Sequence, residues 1–275
     1  MKLKEALKGK LTKGEISLVP SAYDLVGDLA IFSEFPESLN KKQERLVGDT
    51  LLGLHKQVKV VLKKVGKYSG RFRTHRLKII AGERRKETVL WENGCRFIVH
   101  PEKSYWSSRL GSERKRVYGL VKAKESVLVM FSGVGPYVVE IAKHAQPRKI
   151  VSVEANPDAV SYQEKNLIMN KISGVVLKKG GVEKIVPRLK GTFDRIFMPL
   201  PMGGEAFFDL ALSKAKKDTV IHFYMFHNEE KVKEIKDFIY SSCKHRKLYC
   251  KILGVVKCGQ FGPGLFRFCF DIKIV

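Results

Sequence analysis

Residues 127–137 read VLVMFSGVGPY: an apolar run, a turn carrying Gly133 and Gly135, and a segment opened by Pro136 that suits a helix. A short apolar run bounded by glycines predicts a buried strand. Proline fits the first turn of the helix that follows, because the N–H it lacks has no intrahelical partner there. Gly133 and Gly135 remove Cβ atoms where a ligand would lie against the backbone. Alone, such a turn fits nucleotide binding in general and also any tight strand-to-helix connection. The next strand favours a ligand. KIVSVEA (149–155) ends in Glu154, about 20 residues after the glycines, where a carboxylate accepts hydrogen bonds from the ribose hydroxyls of an adenosine-type cofactor. Asn156 and Pro157 suit the N-cap and first turn of the following helix, which sets Glu154 beside that ligand.

Outward from this turn the chain alternates. VLVMFS, KIVSVEA, GVVLKKG, FDRIFMPLP and TVIHFYMFH read as strands with helical segments between them, the longest from Tyr137 and from Pro157 to Asn170. Repeated strand–helix units predict a parallel sheet with helices on both faces. LYCKILGVVKCG and LFRFCFDIKIV, joined by a Gly-Pro turn, predict a terminal antiparallel hairpin. Upstream the pattern differs. Residues 16–35 mix strand-like apolar runs with turn residues. Residues 38–56 carry Leu39, Leu46, Val47, Leu51 and Leu54 near helical spacing, and VKVVLKK, RFRTHRLKIIAG and ETVLWENGCRFIVHP read as short strands. The expectation is a small α+β, RNA-contacting domain over residues 1–100 and an α/β domain over 101–275.

The formal charge is +24, from 52 Lys and Arg against 28 Asp and Glu. Such self-repulsion adds nothing to fold stability and points to a polyanionic partner, nucleic acid above all. Lys56, Lys59, Lys63, Lys64, Lys67, Arg71, Arg73, Arg76, Lys78, Arg84, Arg85 and Lys86 concentrate that charge, with Glu83 the lone acid among them. Phosphate contact accounts for many of these and a solvated face for the others. No apolar run of about 18 residues suggests a membrane span. The basic N-terminus has no apolar stretch typical of a secretory signal, so the cytoplasm is the default expectation. The five cysteines form no C-x-x-C pair and the histidines do not cluster near them, so reduced thiols and no metal site are expected.

VLVMFSGVGPY, VEANPDAVSYQEKNLIMNK and FDRIFMPLP, with YDLVGDLAIF, GRFRT and YWSSRLGSER upstream, resemble the archaeal and eukaryotic type of tRNA guanine-37 N1-methyltransferase, in the same order and over nearly the whole chain from Ile16. The resemblance implies a class I methyltransferase fold, Rossmann-like with a mostly parallel sheet. It implies S-adenosylmethionine as cofactor, the anticodon stem-loop of tRNA as partner, and methyl transfer to N1 of guanosine 37. It also implies Tyr105, Arg109, Glu113 and Arg73 as catalytic positions, and Met130, Phe131, Gly133, Gly135, Pro136, Glu154, Pro199 and Pro201 around the cofactor. The chain departs from the family at Val129 and Gly180-Gly181, where the pattern carries Asp, and at Pro199, where it carries Asn. A separate N-terminal domain that many archaeal members set against the tRNA elbow is not expected here.

Guanine N1 carries a proton and is a poor nucleophile until it is removed. Glu113 is the candidate base, and Arg73 or Arg109 would stabilise the charge that builds on O6. Arg109 and Glu113 lie four apart and share a helix face, which equally suits a plain ion pair. Tyr105 or Trp106 would stack on the flipped base or pack in a core. Two other functions fit: transfer of the cofactor's aminocarboxypropyl group to a modified tRNA guanosine, and RNA binding around a degraded cofactor site.

Overall fold

The structure, a computed structural model, describes the chain except Gly70, Arg71 and Arg73 and the side chains of Lys67, Tyr68, Ser69 and Phe261. It divides into two compact units, Met1–Ser108 and Arg109–Val275. Among the described residues no helix is long and apolar enough to cross a membrane.

The first unit contains α1 (Leu3–Ala6), α2 (Lys13–Leu18), β1 (Asp24–Val26), β2 (Leu29–Phe32), α3 (Lys41–Leu54), β3 (Val60–Ser69), β4 (Thr74–Gly82), β5 (Thr88–Glu92) and β6 (Cys95–Val99). A sheet ordered β1-β2-β3-β4 is covered by α3, whose Val47 and Leu51 pack with Leu39, Val61, Ile80 and Ala81. Asn40 caps α3 by accepting from Lys42 N and Gln43 N, and Gln43 returns the bond to Asn40 N. The strand-like reading of residues 16–18 is corrected: they lie in α2. A capping box of Thr12 and Glu15 starts a helix there, and that local bonding outweighs the apolar run. Asn93 and Gly94, both at positive φ, close the β5–β6 hairpin.

The second unit contains α4 (Gly111–Tyr118), β7 (Ser126–Met130), α5 (Pro136–His144), β8 (Lys149–Glu154), α6 (Pro157–Met169), β9 (Val175–Lys179), α7 (Val182–Ile185), β10 (Arg195–Met198), α8 (Phe208–Leu212), β11 (Val220–Asn228), α9 (Val232–His245), β12 (Cys250–Gly262) and β13 (Leu265–Ile274). Its sheet runs β12-β13-β11-β10-β7-β8-β9. The pairs from β9 to β11 are parallel, and β13 is antiparallel to both β11 and β12. This is the class I methyltransferase fold. Leu128, Met130, Ile196 and Phe223 face α7, α8 and α9 on one side, and Val127, Val129, Phe197 and Tyr224 face α4 and α5 on the other. From β7 the chain runs outward to β9 and returns to β10 on β7's other flank. Connections therefore diverge at the carboxyl ends of β7 and β10, and the crevice of an open α/β sheet opens there.

Candidate functional site

The turn after β7 is built for close approach. Phe131, Gly133 and Gly135 have φ of +56°, +58° and +84°. The left-handed conformation is costly for Phe131, and such strain persists where surrounding structure over-determines it. A Cβ at Gly133 would have no atom within 4 Å, so the backbone opens onto free space. At Gly135 a Cβ would meet Gln163 Cγ at 2.6 Å. The missing Cβ of Gly135 thus leaves room for the Gln163 side chain. Gln163 joins Ser132 to Ser152 by hydrogen bonds of 2.7 Å each.

Glu154 lies at the end of β8 with both carboxylate oxygens turned to the backbone. Oε2 accepts from Gly133 N at 2.7 Å and Oε1 from Asn156 N at 2.8 Å. Each oxygen keeps a further lone pair. Burial raises the acid's pKa above the ordinary value, and the N–H groups of Asn156, Gly133 and Ala155 offset this only in part. Met130 is fully buried in the core, so only its backbone reaches the turn. The Phe131 ring meets Phe207 edge-on at 5.3 Å. Pro136 opens α5. Pro199 and Pro201 follow β10, half-buried, and Pro201 O accepts from Phe226 N at 2.9 Å. The Glu183 carboxylate folds back into the space a Gly181 Cβ would take, so an acid stands there from two residues on.

Glu113, on α4, is 5% exposed. Its partner is Arg116, not Arg109: Arg116 Nε and Nη2 donate to its two oxygens at 2.8 Å each, and the Tyr224 hydroxyl donates to Oε1 at 2.8 Å. Arg109 falls in the 3₁₀ turn Ser108–Leu110 ahead of α4, exposed, so the four-residue spacing does not put the two on one helical face. Arg116 Nη1 also donates to Asp271 at 2.6 Å. Asp271 Oδ1 lies 2.6 Å from His222 Nδ1, and His222 Nε2 lies 2.8 Å from Arg195 Nη1. Arginine only donates, so Nε2 accepts and Nδ1 carries the proton. Burial lowers the pKa of His222, keeping it neutral, with Asp271 acting the other way. Burial pushes Asp271 up, but the bonds from His222 and Arg116 outweigh it and hold the acid well below the usual range. His222, Cys269 and Asp271 together offer metal-ligand atoms. With the Arg116 and Arg195 guanidiniums bonded into this group, a cation there would face two fixed positive charges.

Tyr105 stands 59% exposed in the loop before that 3₁₀ turn. Trp106 packs on Phe97 with ring centroids 5.2 Å apart, the core reading. Arg73 lies outside the described residues. Part of the basic stretch is structural: Lys63 and Lys78 pair with Glu44, Arg85 with Asp28 and Glu83, and Lys86 with Glu102. Most of these acids lie far along the chain from their partners, so the local charge count missed them. Nothing local marked Tyr224, Arg116 or Asp271 either.

Residues 88–252 match the family described as TRM5/TYW2 methyltransferase domain, and residues 3–85 the one described as TYW2 N-terminal domain. A tRNA (guanine(37)-N(1))-methyltransferase of Pyrococcus abyssi is 37% identical over 211 residues, covering 77% of this chain and 62% of that protein. The crystal structure of Trm5b from the same organism has a TM-score of 0.86 at 31% identity, over 96% of this chain and 78% of that one. A tRNA (guanine(37)-N(1))/4-demethylwyosine(37)-methyltransferase of Nanoarchaeum equitans is 35% identical, covering 92% of this chain and 100% of that protein. Trm5 of Methanocaldococcus jannaschii, solved in complex with adenosine, has a TM-score of 0.78 at 29% identity, over 99% of this chain and 78% of that one. The chain thus spans less than two thirds of the Pyrococcus relative and all of the Nanoarchaeum one. With both units matched and the turn and Glu154 inside the matched region, the chain belongs to the TRM5/TYW2 methyltransferase family.

Proposed function

We propose that this chain transfers a methyl group from S-adenosylmethionine to N1 of guanosine 37 in tRNA, in the cytoplasm, with residues 1–100 contacting the anticodon stem-loop. The observation that carries the reading is the closure of the turn after β7 by Glu154, with Glu113 fixed on the sheet face covered by α4 and α5. The residues fit the cofactor. Gly133 opens onto free space, and each Glu154 oxygen has an acceptor site left for one ribose hydroxyl. Phe131, Pro136, Pro199 and Pro201 stand at the same carboxyl edge as Gly133, and Met130 and Gly135 shape the turn. When bound, the cofactor supplies an electrophilic methyl on a sulfonium.

The chain's own residues then orient guanine and take its proton. The Glu113 oxygens offer about four acceptor sites. Arg116 and Tyr224 fill three, leaving one on Oε2 for the N1 proton. Glu113 would accept the N1 proton at Oε2 as N1 takes up the methyl that the bound cofactor would supply. Tyr105 is read as a stacking platform, and Arg73 or Arg109 as donors to O6. Incubation with unmodified tRNA and methyl-labelled cofactor, followed by nucleoside mapping, tests the reading; label absent from N1-methylguanosine rejects it. One observation favours aminocarboxypropyl transfer, the match of residues 3–85 to the TYW2 N-terminal domain. The mass added to the nucleoside separates the two.

Glu154→Ala is expected to weaken S-adenosylmethionine binding by about 1–3 kcal/mol, the worth of a hydrogen bond to a charged group. Wild-type affinity should fall on acidification as Glu154, its pKa raised, takes up a proton. Calorimetry showing equal affinity for variant and wild type removes the ribose role. The affinity for tRNA should fall steeply and log-linearly with salt, because a chain of charge +24 releases counterions from many phosphates. A flat salt series contradicts the electrostatic reading.

A further inference from the structure

Between Met198↔Phe223 and the end of β11, Tyr224 to Asn228 pair with β13 alone among the described residues. These five residues carry β11 and β13 about 16 Å beyond β10, as a wall above the carboxyl edge where the turn after β7 and Pro199–Pro201 lie. Side chains alternate along this wall. On the face of Glu113 the cross-strand rungs are His222/Asp271, Tyr224/Cys269 and Phe226/Arg267. The first two already belong to the Glu113 network. The third stands one rung, about 7 Å, nearer the open edge, and Phe226 N is bonded to Pro201 O at 2.9 Å. Arg267 is 8% exposed, with its guanidinium 4.8 Å from the centre of the Phe226 ring.

We propose that Arg267, stacked on Phe226, reads the O6 and N7 edge of the target guanine and, as a donor additional to Arg73 or Arg109, stabilises the charge on O6 as Glu113 takes the N1 proton. Guanidinium to guanine O6 and N7 is the commonest specific base contact, because its fork matches those two acceptors. A cation held on an aromatic face and shielded from water is preorganised and more effective than one in solution. Tyr224, on the neighbouring rung of the same face, donates to Glu113 Oε1 at 2.8 Å, so the base and the Arg267 cation stand on one face of the wall. The inference rests on N1 of guanine being the reacting atom.

The test is single-turnover methyl transfer to tRNA carrying guanine or inosine at position 37, across a pH series. Wild-type enzyme inactive on the guanine substrate rejects the proposed function itself. Given wild-type activity, Arg267→Gln is expected to slow transfer by roughly 10²–10³-fold, as for loss of a preorganised oxyanion donor. The loss should be equal for guanine and inosine, which share O6 and N7. The rising limb of the pH–rate profile should move to higher pH, since N1 gives up its proton less readily, and Arg267→Lys should recover part of the rate. A wild-type rate, or a loss with an unmoved pH limb, overturns the inference. Should Arg267→Gln fail to bind S-adenosylmethionine as the wild type does, Phe226→Ala replaces it. Removing the platform but keeping the charge should cost about tenfold with the same upward shift, and an unmoved limb again overturns it.

Discussion

Glu113→Gln is expected to lower the single-turnover rate by roughly 10²–10⁴, the usual worth of a positioned general base. The substitution keeps the side chain's shape. Its amide oxygen still accepts from Tyr224 or Arg116, and Arg116 keeps Asp271 as a partner. Folding and cofactor affinity should therefore change little while the acceptor for the N1 proton is lost. The rate of the wild type should rise with pH as N1 gives up its proton more readily, and that dependence should change in the variant. The competing account makes Glu113 only the buried partner of Arg116 and Tyr224. It requires the opposite pattern, a lowered melting temperature and weakened tRNA binding that match the rate loss. A variant with the wild-type rate and pH profile removes Glu113 from the chemistry.

Asp271→Ala is expected to destabilise the fold by about 3–5 kcal/mol, the cost of stripping one partner from a buried ion pair. It takes an acceptor from Arg116 and the partner of the His222 proton. Asp271→Asn keeps one acceptor and should lose less. The acid sensitivity follows from the same group. Asp271 is held below its unfolded range, so its stabilisation is complete above about pH 4 and is lost as pH falls below that toward its folded value. His222 is also depressed, so the unfolded chain takes up its proton first, below about pH 6.5, and stability declines from there downward. Urea unfolding across pH should show both windows in the wild type and a shallower acid limb in Asp271→Ala. A loss under about 1 kcal/mol, the scale of an exposed pair, would mean the network relaxes into contact with water.

The sequence by itself determined the architecture and the turn after β7. Strand and helix periodicities, the positive-φ glycine at 133, the proline at 136 and the acid at 154 are local signals, written within a few residues or within one strand–helix–strand unit. The Gly-Pro turn between β12 and β13 was legible for the same reason. Tertiary structure decided what the ionisable groups do. Glu113 was picked out by its motif, but Tyr224 is 111 residues away from it, and Asp271 is 155 residues from Arg116. The pairing of Lys63 and Lys78 with Glu44, the fit of Gly135 against Gln163, and the stack of Arg267 on Phe226 are likewise invisible to any short window. A side chain's charge partner depends on which strands become neighbours and which face each residue takes. Those are properties of the closed sheet, whereas a turn's backbone conformation belongs to the few residues that make it.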